Sequence, residues 1–172
     1  MLSLIVAILI TVLDQVTKTL VRYSFVLGES RPVINGFFDL TYLRNTGAAW
    51  GILGGHNTLL LFLSIIMLVL ITLFRKSFLS DTWEHSLALG LLVGGIAGNL
   101  IDRVRLGYVV DFFNFHIAGY HWPVFNVADA AICVGVGIYI ISAVWLSGHP
   151  LHEQKTESSK PSSSGDEPDN HA

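Results

Sequence analysis

The chain has 172 residues, of which 52% are hydrophobic and only 13% are charged, and its mean hydropathy is +0.58. This composition excludes an ordinary soluble domain and predicts a small membrane protein. The net charge of -3 arises largely in the hydrophilic tail after Ser147, so we expect no nucleic-acid partner. The single cysteine, Cys133, excludes an intrachain disulfide.

Four apolar segments are predicted to cross the membrane as helices: residues 2–20, 58–74, 86–101 and 123–146. The first is about 29 Å long at ~1.5 Å per residue, enough to cross ~30 Å of hydrocarbon. In the third, Gly90, Gly94 and Gly98 form a small-residue stripe that predicts close helix packing. In the fourth, Pro123 suits the first turn of a helix. An even number of spans puts both ends of this region on one side, but the basic loop residues do not decide which side.

The segment after the first span is predicted to form a small β element resting on the membrane. In "RPVINGFFDLTYLRN", Asn35 and Gly36 lie between two strand-prone stretches, which is typical of a hairpin with a two-residue turn. The small-residue stretch that follows, "NTGAAWGILGG", fits either a substrate groove or a tight loop.

The segment between the third and fourth spans is too short and too polar to cross the membrane. Around Asp111 it carries the aromatic residues Phe112, Phe113, Phe115 and Trp122. We therefore expect an amphipathic loop in the membrane interface. This loop and the β element share one membrane face, and Asp129 lies only ~6 Å into the fourth helix from that face. Asp111 and Asp129 are thus expected to meet.

The predicted fold class is an all-α integral membrane protein. It has four transmembrane helices, a small β element and an interfacial amphipathic loop segment. The C-terminal residues are rich in serine and charge and lack apolar periodicity. We therefore divide the chain into a membrane domain, residues 1–149, and a disordered polar tail, residues 150–172.

Polar residues within the spans have structural explanations that must be weighed first. Asp14 and Lys18 are four residues apart on one helical face, where pairing would neutralise both charges, so we interpret them as structural. Asn99, Asp102 and Arg103 share one face at the end of the third span. They fit either a functional site or a network that anchors the helix in the interface.

Asp111 and Asp129 differ because no cationic side chain lies at helical spacing from either. Two carboxyl groups in a poorly solvated place cannot both ionise, so one keeps a proton while the other is charged. This is the arrangement of an aspartic protease, in which the ionised group activates water and the protonated group binds the peptide carbonyl. His116 and His121 lack a third ligand at a fixed spacing, so we expect neither a metal nor another cofactor.

A function of another class is also consistent with these residues. A small polytopic proton-coupled transporter or proton-relay protein would also bury Asp14, Lys18 and Asp129. Such a protein should have polar residues at several depths, whereas most charged groups here cluster near one membrane face. A membrane scaffold would leave the meeting of Asp111 with Asp129 unexplained.

Five ordered motifs make the chain resemble the bacterial signal peptidase II family, intramembrane aspartyl proteases with four spans. The motifs are "DQVTK" at 14–18, "NTGAAWG" at 45–51, "GNLIDR" at 98–103, "VVDF" at 109–112 and "FNVAD" at 125–129. The resemblance covers nearly the whole chain up to about Leu146. It implies an endopeptidase that removes signal peptides from prolipoproteins, on the amino side of a diacylglyceryl-modified cysteine of the substrate.

The resemblance also implies roles for individual residues. The catalytic pair falls on Asp111 and Asp129, and Lys18 and Asp102 are structural. The substrate-binding or supporting residues are Asp14, Asn45, Asn99, Arg103 and Asn126. We further expect a monomer in the bacterial inner membrane that contacts membrane lipid. Both termini would be cytoplasmic, and the active site and the extracytoplasmic β element would face the periplasmic or outer side.

Overall fold

The computed structural model describes residues 1–48, 52–78, 82–117 and 119–148. Its elements, in chain order, are α1 (Leu2–Ser24), β1 (Ser30–Ile34), β2 (Phe38–Asn45), α2 (Asn57–Phe78), α3 (Trp83–Leu106), β3 (Val109–Ile117), β4 (Tyr120–His121) and α4 (Val127–Gly148). The polar tail predicted for residues 150–172 lies outside the described residues, as do positions 49–51 of the second motif.

The four predicted spans correspond to four helices that are long and apolar enough to cross a membrane. The prediction for the start of the fourth was wrong, because α4 begins at Val127 and not near Pro123. Phe125 instead makes an antiparallel bridge with Phe113, which keeps the chain extended up to Asn126. The first turn of α4 therefore lies directly beside the sheet.

Helix α3 packs between α1 and α4, and small residues allow the close approach. A Cβ atom on Gly94 would lie 2.8 Å from the carbonyl oxygen of Ala7, and one on Gly98 would lie 2.6 Å from Asp14 Oδ2. The predicted packing role of the glycine stripe is confirmed, since no larger residue fits there without displacing α1. Helix α2 packs mainly on α3 and leaves most of its apolar side chains exposed, as expected for a helix in lipid.

The sheet is larger than predicted and has four antiparallel strands in the order β1-β2-β3-β4. The expected interfacial loop was wrong in its secondary structure, because residues 109–117 form β3 and pair with β2. The fold is consequently not all-α. Pairing satisfies backbone polar groups that a loop at the edge of the hydrocarbon would leave unbonded. Packing of β3 and β2 against the end of α1 forms a small core of Val21, Tyr42, Val110 and Phe112.

The hairpin between β1 and β2 turns at Asn35 and Gly36, but its loop has three residues and not two. Ile34 pairs with Phe38, and the Phe37 N–H donates to the Ile34 carbonyl at 3.0 Å. Gly36 has a φ of 76°, whereas Asn35 is not among the residues with positive φ. A two-residue type I′ turn needs positive φ at both positions, so Phe37 completes the loop instead.

Candidate active site

Asn126 and Asp129 bind each other across the first turn of α4. The Asp129 N–H donates to Asn126 Oδ1 at 3.0 Å, and the Asn126 N–H donates to Asp129 Oδ2 at 3.2 Å. This reciprocal pattern is a capping box made by an asparagine and the residue three positions later. It places the Asp129 carboxylate at the helix N-terminus, where the helix dipole favours negative charge.

Asp111 lies on β3 and is bound by two asparagine side chains. Asn45 Nδ2, from β2, donates to Asp111 Oδ2 at 2.9 Å, and Asn126 Nδ2 donates to Asp111 Oδ1 at 2.7 Å. Pairing of β2 with β3 brings Asn45 near Asp111, although 66 positions separate them in the chain. Asn126 therefore contacts both Asp111 and Asp129.

Asn99 on α3 completes the arrangement from the side of the helix bundle. Its Nδ2 donates to Asp129 Oδ1 at 2.7 Å, while its Oδ1 accepts from Asn126 Nδ2 at 3.2 Å. Each carboxylate therefore accepts hydrogen bonds from asparagine amides on two different elements. Such donors stabilise an ionised carboxylate without supplying a counter-charge.

The environment of Asp111 favours a proton on this pair. Burial, and after it the nearby charge of Asp129, raises the pKa of Asp111 to about 7. Bonds from Asn45 and Asn126 oppose this rise but do not cancel it. At neutral pH the pair can thus supply both a protonated and an ionised carboxyl group, which general acid and general base chemistry require.

Both carboxyl groups line a cavity of about 1020 Å³ at the end of the bundle where the sheet lies. Its polar wall includes Asn45, Asn99, Arg103, Asp111, Asn114 and Asp129, and its apolar wall includes Leu43, Trp122, Val124, Phe125 and Ile132. Cys133 also lines it. A mostly apolar cavity with a few convergent polar groups is the usual form of a ligand site.

A second set of charged groups lies behind the cavity, between α1 and α3. Lys18 Nζ lies 2.8 Å from Asp14 Oδ2 and 3.2 Å from Asp102 Oδ2, and all three side chains are nearly inaccessible. The carboxylates also accept backbone bonds, Asp14 from Ala128 N–H at 2.9 Å and Asp102 from Val110 N–H at 3.1 Å. The predicted pairing of Asp14 with Lys18 is present, and these bonds join α1 and α3 to the start of α4 and to β3.

Arg103 connects the bundle to the segment after β2. Its Nη2 donates to the Gly47 carbonyl at 3.3 Å and its Nη1 to the Asn99 carbonyl at 3.5 Å. The same side chain lines the cavity near Asp111 and Asp129. It therefore places a positive charge in the wall of the cavity that the pair lines.

The structure brings every site residue named from the sequence into these two connected groups, and it adds two that were missed. Gln15 Nε2 donates to Asp102 Oδ1 at 3.0 Å and to the Gly98 carbonyl at 3.1 Å. Asn114 lines the cavity from β3. Gln15 could have been predicted because it lies inside the first motif. Asn114 lies in none of the motifs, so there was no reason in the sequence to select it. Among the described residues, no three His, Cys, Asp or Glu side chains are grouped to hold a metal ion.

Within the described residues, four apolar helices and a cavity lined by two carboxyl groups are the features of a multi-pass membrane enzyme. A family model described as signal peptidase (SPase) II matches residues 6–145. The chain belongs to this family, and it is a lipoprotein-processing peptidase of the bacterial inner membrane.

Related proteins of several bacteria support this assignment. The lipoprotein signal peptidase of Syntrophotalea carbinolica is 45% identical over 148 residues, which cover 84% of this chain and 91% of the relative. That of Bacillus subtilis is 40% identical over 154 residues, 90% of this chain and 100% of the relative. These matches do not favour the transporter alternative.

Two solved structures described as bacterial membrane enzymes have the same fold. One is 37% identical with a TM-score of 0.80 and covers 88% of this chain and 93% of its own. The other is 39% identical with a TM-score of 0.75, covering 83% of this chain and 92% of its own. The four-helix arrangement with a small sheet is thus common to this chain and to both solved structures.

Proposed function

We propose that Asp111 and Asp129 are the catalytic pair of an aspartic endopeptidase that removes signal peptides from prolipoproteins. The observation that carries this proposal is that both carboxyl groups line one cavity and both accept hydrogen bonds from Asn126, Asp111 from its side-chain Nδ2 and Asp129 from its backbone N–H. The substrate class follows the name of the relatives, lipoprotein signal peptidase. Cleavage would fall on the amino side of a diacylglyceryl-modified cysteine.

In this mechanism Asp111 carries the proton and Asp129 acts as the base, because burial and the neighbouring carboxyl group raise the pKa of Asp111 to about 7. Asp129 takes a proton from water as the water oxygen attacks the peptide carbonyl carbon. Asp111 donates its proton toward the carbonyl oxygen and stabilises the tetrahedral intermediate. The carbon–nitrogen bond then breaks as the leaving nitrogen takes the proton from Asp129 and a hydroxyl group of the tetrahedral intermediate returns its proton to Asp111. The titration belongs to the pair and not to one residue.

The remaining polar groups of the cavity would position the substrate. Arg103 and Asn114 line the wall beside the pair, where their N–H groups can bind peptide carbonyls. Trp122, Val124 and Ile132 supply an apolar wall for the signal-peptide side chains or acyl chains. Asn45, Asn99 and Asn126 would act through the carboxyl groups, since their amides already bind them.

We place the cavity toward the periplasmic or outer face, with both termini cytoplasmic and the enzyme a monomer. Helix α1 ends and α4 begins at the sheet, so α1 begins and α4 ends at the opposite end of the bundle. Asp129 is the third residue of α4, about 3 Å from the first residue, Val127, at ~1.5 Å per residue. This depth suits a scissile bond next to a cysteine whose acyl chains stay in the outer leaflet.

The test compares cleavage of one prolipoprotein with and without its diacylglyceryl group, by purified protein in one detergent. Each buried methylene contributes about 0.8 kcal/mol, so a few per chain should raise kcat/KM by about 100-fold or more. A cyclic peptide carrying an alkyl chain should compete better than the same peptide without it. Equal kcat/KM for both substrates would contradict recognition of the lipid by the enzyme.

A further inference from the structure

Lys18 binds a third side chain in addition to its two ion-pair partners, Asp14 and Asp102. Besides these two carboxylates, its Nζ donates to Asn99 Oδ1 at 2.9 Å. An ammonium group has three N–H donors and no acceptor, so every donor of Lys18 is used. With 2% of its surface exposed, the side chain has no access to water as a substitute partner.

This third contact determines which way the Asn99 amide faces. With Oδ1 toward the ammonium group, Nδ2 faces Asp129 Oδ1 at 2.7 Å. The opposite orientation would place the NH₂ group against Lys18 and the carbonyl oxygen against the Asp129 carboxylate. Both contacts would then be repulsive, in a buried place where unmade hydrogen bonds are costly.

The orientation of the Asn99 amide in turn determines the orientation of the Asn126 amide. Asn99 Oδ1 also accepts from Asn126 Nδ2 at 3.2 Å, and the second hydrogen of that amide points to Asp111 Oδ1 at 2.7 Å. Asn126 Oδ1 in turn accepts from the Asp129 N–H. Each of the two amides is thus oriented by the residue before it in the order Lys18, Asn99, Asn126. Lys18 comes first because its ammonium group can only donate.

We infer that Lys18 is a positioning residue for catalysis, which orients two side-chain amides so that Asn99 donates to Asp129 and Asn126 donates to Asp111. Lys18 touches neither carboxyl group of the pair and acts through Asn99. This inference rests on the proposed function. It differs from a purely structural role, in which Lys18 only neutralises Asp14 and Asp102.

A double-mutant cycle on kcat separates the two roles. Lys18→Met and Asn99→Ala should each lower kcat by about 10-fold to 100-fold, the effect of a lost hydrogen bond to a charged group. If Lys18 acts through Asn99, the double variant should lose little more than Asn99→Ala alone. If the fold-loss of kcat in the double variant equals the product of the two single-variant losses, the inference is overturned. Leu20→Met, an exposed neighbour on α1, is the control and should keep the wild-type kcat.

Folding is checked by thermal unfolding of every variant in detergent. Lys18→Met leaves Asp14 and Asp102 without a counter-charge, so the same cycle is also measured in a background carrying Asp14→Asn and Asp102→Asn. In that background, a double variant whose kcat is close to that of Asn99→Ala alone again supports the inference. A kcat loss equal to the product of the two single losses overturns it.

The proposed function is tested in the same assay with Asp111→Asn and Asp129→Asn. If both are inactive and the cycle shows multiplied losses, only the role of Lys18 is wrong. If either retains substantial turnover, the catalytic pair is wrong, and the inference about Lys18 fails with it.

Discussion

Asp14 and Asp102 are bound by the ammonium group of Lys18, whereas Asp111 and Asp129 are bound by side-chain amides of asparagines. The first pair lies between α1 and α3 and accepts backbone bonds from β3 and α4. The second pair lines the cavity. Four carboxyl groups close together in one membrane protein therefore have two different kinds of environment.

These two environments differ in whether a carboxyl group can change its protonation. A carboxylate beside a buried ammonium group gains most by staying ionised, so it suits a fixed structural contact. A carboxyl group bound only by neutral amides, next to another carboxyl group, can take up or release a proton at moderate cost. Asp111, with a pKa near 7, has the second kind of environment.

The largest expected effect is loss of cleavage when one member of the cavity pair is changed. Asp111→Asn and Asp129→Asn should each lower kcat by about 10³-fold or more, because the pair needs one protonated and one ionised group. Both variants should remain folded in detergent. Asp39→Asn, on β2 and away from the cavity wall, is the matched control and should keep wild-type activity. Loss of folded protein in the two variants would instead point to a structural role.

Changes in the Lys18 cluster should act on stability first. Asp14→Asn and Asp102→Asn each weaken a charge-assisted hydrogen bond to Lys18, which costs about 1 to 3 kcal/mol of unfolding free energy. Thermal unfolding should therefore begin at a lower temperature, while kcat per folded molecule falls by less than about tenfold. A variant of normal stability without activity would reopen a chemical role for that residue.

The titration of Asp111 should appear in the pH dependence of stability. Folding raises its pKa from 3.8 to about 7, so its contribution to stability is full below about pH 4 and is lost as the pH rises to 7. Asparagine does not titrate. Between pH 5 and pH 8 the wild type should lose on the order of 2 kcal/mol relative to Asp111→Asn. A difference in unfolding temperature that stays constant over this range would contradict the raised pKa.

The smallest expected effect concerns the amide of Asn45. Its hydrogen bond lowers the pKa of Asp111, so Asn45→Ala should raise that pKa further. The pH above which kcat/KM falls should then move upward, by about one unit or less. Asn114→Ala is the control, because the Asn114 amide lines the same cavity but donates to Thr41. An equal shift in both variants would show that the cavity wall as a whole, and not Asn45, sets the titration.

The helices could be predicted from the sequence because their signals are local. Apolar runs of sufficient length identify the spans, and the four-residue spacing places Asp14 beside Lys18 whatever surrounds them. The glycine stripe on α3 likewise indicates a close helix contact without naming the partner. The capping box of Asn126 and Asp129, which marks the start of α4, was not predicted.

The pairing of the strands could not be predicted from the sequence, because paired strands come from distant parts of the chain. Residues 109–117 are rich in the β-branched and aromatic residues that strands favour, but an interfacial amphipathic segment has the same composition, and only pairing with β2 decides between the two. That pairing brings Asn45 to Asp111. The bridge from Phe113 to Phe125 keeps the chain extended, so that α4 begins only at Val127.

The membrane class, the four spans and, through the motifs, the polar residues of the site can all be read from the sequence. Which hydrogen bonds these residues make depends on the folded chain. Lys18 is four residues from Asp14, but its contact with Asn99 crosses 81 positions of the chain. The directions of the Asn99 and Asn126 amides follow from that contact because hydrogen bonding requires each donor to face an acceptor, a condition set by three-dimensional neighbours and not by spacing along one helix.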